Sequence, residues 1–268
     1  MPKLSANLSL LFTEHATIEE RVAAAAGCGF HGIEYASPYG EDIGARKAQL
    51  RALGVEQVLF NLPMGDAASG ERGFAVDPSR TGEFKRGVAE AVRIAGELGC
   101  TRVNCLAGKA IADLDRDTQQ RTLISNLRYA ADELRAAGVT LLIEPLNRID
   151  VPGFFIGTTS EALALLAIAG RPNLRLQYDC YHAQRAEGNV MATVQANLEA
   201  IGHIQIADSP ARHEPGTGEL DYGRILPFFD AIGYEGWVGL EYHPSAGTRA
   251  GLAWIKALGI SDEAAAAL

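Results

Sequence analysis

The stretch VTLLI, residues 139–143, indicates the fold class because four of its five residues are apolar. A strand with one face in water alternates polar and apolar residues, whereas a strand buried on both faces does not. This run is therefore typical of a parallel sheet that helices cover on the outside. It ends directly at a carboxylate, Glu144.

Similar short apolar runs alternate with helix patterns about eight times along the chain. Two helix patterns, at residues 84–98 and 123–137, place apolar side chains on one stripe with helical spacing. Eight βα units favour a closed (β/α)8 TIM barrel, an α/β fold, over an open doubly wound sheet, which stays the alternative. We expect the strands at residues 4–10, 32–36, 57–61, 102–106, 140–144, 175–179, 203–207 and 237–241. We expect helices to end at Gly27, Gly54, Gly99, Gly138, Gly170, Gly202, Gly233 and Gly259.

Composition limits the domain organisation and the classes of partner. The sequence contains no linker or low-complexity tract, so residues 1–268 are expected to form one TIM-barrel catalytic domain. The net charge of −9 argues against binding to nucleic acid or to an anionic membrane surface. The N-terminal stretch MPKLSANLSLLF lacks the unbroken apolar core of a signal peptide, and the cysteines have no CxxC spacing. These features predict a cytoplasmic protein with reduced cysteines. The sequence does not decide the oligomeric state, and a homo-oligomer is one of the alternatives.

Polar residues end the last four predicted strands. Glu144, Asp179, Gln205 and Glu241 are each separated from the next by about one βα unit, so they should meet at the C-terminal rim, where barrel enzymes have their active sites. One such acid is more often a helix cap or an arginine partner. Three carboxylates in one place repel one another unless a cation lies between them. Ligands that are all oxygen suit Mg²⁺ or Mn²⁺ better than zinc, so the four residues are predicted to hold such an ion.

The predicted metal site suggests a type of reaction. A metal that binds both oxygens of a hydroxy-carbonyl compound acidifies the C–H bond between them and stabilises the enediolate that forms. Two carboxylates on opposite sides of that carbon can remove the proton and return it. Glu144 and Glu241, on the fifth and eighth strands, are the expected catalytic pair. The sequence therefore predicts an isomerase or an epimerase.

Several segments resemble the hydroxypyruvate isomerase family, which belongs to the xylose-isomerase-like barrels. The resemblance spans nearly the whole chain, and the segments are SANLSLLF, NLPMGDAASGERG, VNCLAGK, LLIEPLNRIDVPGF, LQYDCYHAQRAEGN, HIQIADSPARHEPGTGELDY and GWVGLEYHP. It implies interconversion of hydroxypyruvate and tartronate semialdehyde (2-hydroxy-3-oxopropanoate), and it implies the same four metal ligands and the same catalytic pair.

A small hydroxy-oxo acid needs a cation or hydrogen-bond donor for its carboxylate. The candidates are Arg72, Lys109, His182 and Arg212. Arg212 lies in the loop that follows the strand of Gln205, and Arg72 lies in a long irregular segment, residues 63–80, expected on the catalytic face. The chain departs from the family at His243, where members of the family commonly carry lysine. This substitution affects the expected substrate preference.

Other functions remain possible from the sequence. A 2-oxo-tetronate isomerase and a ketose 3-epimerase would use the same pair of carboxylates. A DNA-repair nuclease on this barrel would need a group of zinc-binding histidines and a basic surface, but the sequence has six histidines in all and a net charge of −9. A non-catalytic binding module is disfavoured because both candidate acid/base carboxylates are present.

Overall fold

Eight parallel strands close into a barrel in sequence order, which confirms the predicted (β/α)8 fold. The computed structural model describes residues 2–260; residues 1 and 261–268 of the predicted domain lie outside this part. Each strand pairs with its sequence neighbours, and β8 closes the ring on β1 through Leu4 and Val238. The strands are β1 Lys3–Asn7, β2 Gly32–Glu34, β3 Glu56–Asn61, β4 Arg102–Cys105, β5 Thr140–Ile143, β6 Leu174–Asp179, β7 Ile201–Ile206 and β8 Trp237–Leu240.

Helices follow the strands and cover the outside of the barrel. They are α1 Ile18–Gly27, α2 Ile43–Leu53, α3 Thr81–Leu98, α4 Arg116–Ala136, α5 Thr159–Ala169, α6 Cys180–Ala186, α7 Val190–Ala196, α8 Tyr222–Ala231 and α9 Ala253–Ala257. Short polar side chains cap several helix starts: Thr17 forms a capping box with Glu20, and Asp115 accepts the backbone N–H of Thr118. Each cap satisfies a helix N–H group that has no partner within the helix.

The predicted helix ends are partly correct. Gly54, Gly99 and Gly170 cap their helices in the left-handed conformation, as expected. Two positions differ. Gly27 is the last residue of α1 and not its cap. Gly202 lies inside β7, where a Cβ atom would come within 2.6 Å of the Leu142 side chain, so this glycine permits close packing across the barrel.

The core has an apolar outer layer and a partly polar barrel interior. The outer layer joins the helices to the sheet; in α3, for example, Phe84, Val88 and Ala95 of the predicted stripe are buried. Inside the barrel, buried polar side chains from different strands hydrogen-bond with one another; they are Ser5, Asn7, Glu34, Asn104, Glu144, Gln177, His203 and Gln205. Buried polar groups cost free energy unless they are paired, so this network is a candidate for function.

Two further observations concern the chain as a whole. Within residues 2–260, no helix combines the length and the apolar character needed to cross a lipid bilayer. All four cysteines are free and buried. Burial raises the pKa of the Cys105 thiol to about 12, so this thiol stays protonated at neutral pH.

Candidate functional site

The structure places the four predicted metal ligands at one mouth of the barrel. Glu144 follows β5, Asp179 ends β6, Gln205 lies in β7 and Glu241 follows β8. Because parallel strands present their C-terminal ends on the same side, these side chains share one rim. Glu144, Gln205 and Glu241 line a small cavity of about 70 Å³.

A compact group of possible metal ligands lies at this mouth. One ligand atom from each of Glu144, Asp179 and His182 falls within 4.8 Å of the others, and all three residues are buried. This group includes His182, which we expected to bind substrate. The carboxylate of Glu241 faces Arg212 instead, and the amide of Gln205 is held by other side chains.

The hydrogen bonds of His182 decide which of its ring nitrogens carries the proton. The backbone N–H of Asn147 donates to Nδ1 at 3.3 Å, and the side-chain Nδ2 of Asn147 lies 2.7 Å from the same atom. Nδ1 is therefore the acceptor, and in the neutral ring Nε2 carries the hydrogen. Burial lowers the pKa of His182 to about 4, so the ring is neutral. Its Nε2 atom lies 3.8 Å from Asp179 Oδ2. This arrangement suits a hydrogen-bond donor better than a metal ligand.

Arg212 is the cation that contacts the carboxylates at this mouth. Its Nη2 atom lies 3.3 Å from Asp179 Oδ2 and 3.1 Å from Glu241 Oε2. Its guanidinium group also lies 5.1 Å from the ring centre of Tyr181, a distance at which a cation is attracted to an aromatic face. One monovalent cation thus serves two carboxylates, with Glu144 close by.

The carboxylates of the site carry more negative charge than Arg212 alone compensates. Burial and the neighbouring charges of Glu241 and Asp179 hold the pKa of Glu144 well above its ordinary value. Burial, despite the opposing charge of Arg212, raises the pKa of Glu241 to about 8. Both shifts mean that the negative charge is poorly compensated. Because the donors are carboxylate and amide oxygens, Mg²⁺ or Mn²⁺ fits this site.

A larger cavity of about 540 Å³ opens above the carboxylates. Glu144 and Glu241 line it together with His182, Arg212, Arg72 and His243. Lys109 does not line this cavity. It lies in an adjacent one of about 210 Å³ that shares Arg72 with the larger cavity. The segment at residues 63–80 contributes Met64, Ala67 and Arg72 to the larger cavity, so it lies on the same face as the carboxylates.

Asp208 organises the loop that carries Arg212. Its buried carboxylate accepts backbone N–H groups from Ser209, Gly216, Gly218 and Leu220 at 2.9 to 3.0 Å. A Cβ atom at Gly218 would lie 2.7 Å from Asp208 Oδ1 and 2.0 Å from a backbone oxygen, so only glycine fits there. The sequence does not reveal this role, because the four N–H groups come together only when the loop folds.

The substitution Asp208→Asn is expected to reduce the free energy of unfolding by about 3 kcal/mol, because the new NH₂ group leaves buried N–H groups without an acceptor. Urea unfolding measures this change. Asp221→Asn is the matched control, because Asp221 is exposed and makes no side-chain cap bond; it should change stability by less than about 0.5 kcal/mol. Equal stability of the two variants would contradict the role given to Asp208.

Comparison with known proteins identifies the family. The family model of the xylose isomerase-like TIM barrel matches residues 22–258. The chain belongs to the xylose isomerase-like TIM barrel family. A hydroxypyruvate isomerase from Escherichia coli K12 is 47% identical over 255 residues, covering 95% of this chain and 98% of that protein. A 2-oxo-tetronate isomerase from Cupriavidus necator is 44% identical over 256 residues, covering 96% and 98%.

A solved structure supports the same assignment of fold. A crystal structure described as AP endonuclease, family 2, from Brucella melitensis superposes with a TM-score of 0.92 at 42% identity, covering 96% of this chain and 99% of that one. The two isomerase relatives confirm the predicted enzyme class. This member of the family is an enzyme of the isomerase type that acts on a small molecule.

Three polar residues near the site escaped the sequence analysis. Asn104 donates a hydrogen bond to Glu144 Oε2 at 3.0 Å, and Asn147 donates one to His182 Nδ1 at 2.7 Å. Glu34 accepts a hydrogen bond from Gln205 at 2.7 Å. Glu34 and Asn104 lie at or near the ends of β2 and β4. The strand-end rule that selects Glu144 and Glu241 would have selected them too, had it been applied to the first four strands.

Proposed function

We propose that this protein is a divalent-metal-dependent isomerase that interconverts hydroxypyruvate and tartronate semialdehyde, with residues 1–268 as one catalytic domain. The observation that carries the proposal is the pair of carboxylates with raised pKa values, Glu144 and Glu241, in one cavity with Arg72 and Arg212. The similarity to the Escherichia coli hydroxypyruvate isomerase supports this substrate. The 2-oxo-tetronate isomerase relative makes four-carbon acids the second candidate.

We assign Mg²⁺ or Mn²⁺ to Glu144, Asp179, Gln205 and Glu241. When bound, such an ion supplies a Lewis acid that polarises the hydroxyl and carbonyl oxygens of the substrate. We leave His182 out of this set, because its Nδ1 accepts from Asn147 and its Nε2 carries the hydrogen. His182 instead donates a hydrogen bond to a substrate oxygen.

Glu144 and Glu241 move the proton. In the direction from hydroxypyruvate, one carboxylate removes a proton from the CH₂OH carbon, and the substrate passes through an enediolate. A proton is then returned to the neighbouring carbon, and the hydroxyl proton of the former CH₂OH group passes to the former ketone oxygen, which gives the aldehyde and a new hydroxyl group. Positioned carboxylates contribute about 10²- to 10⁴-fold to such steps. Burial makes each carboxylate a stronger base than it is in water, since desolvation disfavours the charged form.

We assign the substrate carboxylate to Arg72 and Arg212. The Arg72 guanidinium lines the cavity and donates to the backbone oxygen of Glu71, and it retains further N–H groups for a ligand. Lys109 lies outside the cavity of Glu144, so the structure gives less support to its predicted role. A requirement for a carboxylate distinguishes this function from that of a ketose 3-epimerase, whose substrates carry none.

A small acid fits the site better than nucleic acid does. The chain carries a net charge of −9, which repels a phosphate backbone. Among residues 2–260, the group of acid, cysteine and histidine ligands contains one histidine, His182. A zinc nuclease on this barrel would need several. We therefore propose no nucleic-acid partner.

NMR in D₂O tests the proposed function. The protein is incubated with hydroxypyruvate, with and without Mg²⁺, and both the aldehyde product and deuterium incorporation are followed. We expect both with Mg²⁺ and neither after chelation. A 2-oxo-tetronate and a free ketohexose serve as competing substrates: faster turnover of the four-carbon acid would favour the second candidate, and turnover of the ketohexose alone would contradict the proposal.

His243→Lys is expected to lower the KM for hydroxypyruvate by about threefold to tenfold, because a charged donor gains roughly 1 kcal/mol from a carboxylate even at an exposed position. His243 lines the cavity, and burial together with the charge of Arg212 lowers its pKa, so it carries no charge at neutral pH. Steady-state kinetics measures the effect. His15→Lys, outside this cavity, is the control, and an equal change in both variants would contradict a direct contact.

A further inference from the structure

A further buried carboxylate, that of Glu34, lines the same small cavity as Glu144, Gln205 and Glu241. Glu34 ends β2 and is 1% exposed. Its carboxylate accepts four hydrogen bonds from side chains, two from β1 and two from β7. The donors are Ser5 at 3.0 Å, Asn7 at 3.1 Å, His203 at 2.8 Å and Gln205 at 2.7 Å. Glu34 thus joins β2 to its neighbour β1 and, through the barrel interior, to β7.

The contact with Glu34 fixes the orientation of the Gln205 amide. Four side-chain donors converge on the two oxygens of Glu34, which is the contact pattern of an ionised carboxylate. An ionised carboxylate only accepts hydrogen bonds. The atom of Gln205 beside it must therefore be the NH₂ group, and the carbonyl oxygen points elsewhere. That oxygen accepts from Gln177 Nε2 at 2.6 Å and keeps a second lone pair.

The barrel wall leaves space for this carboxylate. Gly239 of β8 lies beside Gln205 and Ser5 in the strand register. A Cβ atom at Gly239 would lie 2.4 Å from Glu34 Oε1 and 2.6 Å from Oε2. Any other residue at this position would therefore displace Glu34.

The cost of this arrangement indicates a role beyond stability. His203 is fully buried, and its Nδ1 atom has no hydrogen-bond partner. Gln177 Oε1 is also buried without a partner. A buried polar network with unsatisfied members is often less stable than well-packed apolar side chains of the same volume. Stability alone therefore does not explain this network. Its contact with Gln205 indicates that it orients that side chain.

We propose that Glu34 is a positioning residue for the metal ligand Gln205: it binds the NH₂ group of Gln205 and so leaves the second lone pair of the carbonyl oxygen to bind the divalent cation. This inference rests on the proposed function. His203 and Gly239 serve the same end, His203 by donating to the other carboxylate oxygen and Gly239 by leaving space. Carboxylates that hold a ligand in its binding orientation typically improve metal affinity about 10- to 100-fold.

Mn²⁺ titration of the purified protein, followed by the EPR signal of free Mn²⁺, tests this proposal without an activity assay. Glu34→Gln keeps the shape of the side chain but removes its charge and replaces one acceptor oxygen by an NH₂ group, which weakens the contact that orients Gln205, so Mn²⁺ should bind about 10- to 100-fold more weakly. The same substitution in a Gln205→Ala background should cause less than roughly a threefold further loss, since the ligand that Glu34 positions is absent. Glu41→Gln is the matched control, because Glu41 pairs with Arg46 away from the site.

A combined variant separates positioning from a structural role. Exchange of the two groups, Glu34→Gln with Gln205→Glu, keeps one carboxylate and one amide, and it should bind Mn²⁺ more tightly than Glu34→Gln alone. If Glu34→Gln does not fold by circular dichroism, Gly239→Ala replaces it, because the added methyl group displaces the carboxylate. A folded Glu34→Gln variant with the affinity of the natural protein, or one with an equal loss in both backgrounds, would overturn the inference. If the natural protein itself binds no Mn²⁺, the proposed function fails as well.

Discussion

Glu241→Gln is expected to lower kcat by about 10³- to 10⁴-fold, because the amide cannot accept the proton that a carboxylate removes from or returns to carbon. The amide oxygen can still contact a cation, so Mn²⁺ affinity should fall much less than kcat does. Glu144→Gln should reduce turnover to a similar extent. The measurements are steady-state kinetics with hydroxypyruvate and Mn²⁺ titration of the same variants.

Deuterium exchange makes this prediction more specific. If each carboxylate serves one carbon, neither variant should convert the substrate, but one of the two should still exchange the CH₂OH hydrogens with solvent. Glu90→Gln on the exposed face of α3 is the control, because Glu90 pairs with Arg93, and it should keep full activity. Unchanged turnover in Glu241→Gln would contradict a mechanism in which two carboxylates transfer the proton.

Removal of divalent metal is expected to abolish activity and to lower the melting temperature. A ligand present at 100 times its Kd adds about 2.7 kcal/mol to the free energy of unfolding. For a chain of this size, that corresponds to a rise in Tm of roughly 5 to 10 °C. The physical reason is that Glu144, Asp179 and Glu241 share one guanidinium, and a divalent cation compensates the remaining charge.

Differential scanning calorimetry with EDTA, then with Mg²⁺ or Mn²⁺, measures this shift. Asp179→Ala is the informative variant: it should lose most of the metal-induced rise in Tm, because alanine has no oxygen to replace the carboxylate that contacts Arg212. Arg93→Gln on α3 should keep the rise. A rise of the same size in Asp179→Ala would show that the cation binds elsewhere.

The fold was predictable because the sequence repeats one local pattern. Runs such as residues 139–143 are buried on both faces, and left-handed glycines such as Gly54 and Gly99 end the helices that follow. The errors arose where one residue type serves two purposes. Gly202 has the local setting of a helix end, but it is a strand residue that makes room for Leu142. A single sequence does not distinguish a glycine that adopts a positive φ angle from one that is required because a side chain would clash with its neighbours.

The site was predictable in part for the same reason. A polar residue at the end of a buried strand must face the barrel mouth, and this rule places Glu144, Asp179 and Glu241 without knowledge of any contact. This rule predicts where these side chains lie, but it does not predict which groups they contact or how those groups are oriented. The tautomer of His182, the pairing of Arg212 with two carboxylates and the loop around Asp208 depend on groups far apart in the chain. These features appear only once the barrel has closed.

Crystals grown with Mn²⁺ and measured at the manganese absorption edge provide the most direct test of the metal centre. We predict one anomalous peak at the barrel mouth, with oxygen atoms of Glu144, Asp179, Gln205 and Glu241 at coordinating distances and the Nε2 atom of His182 outside the coordination sphere. A peak coordinated by His182 in place of Gln205, or no peak among these four side chains, would contradict it.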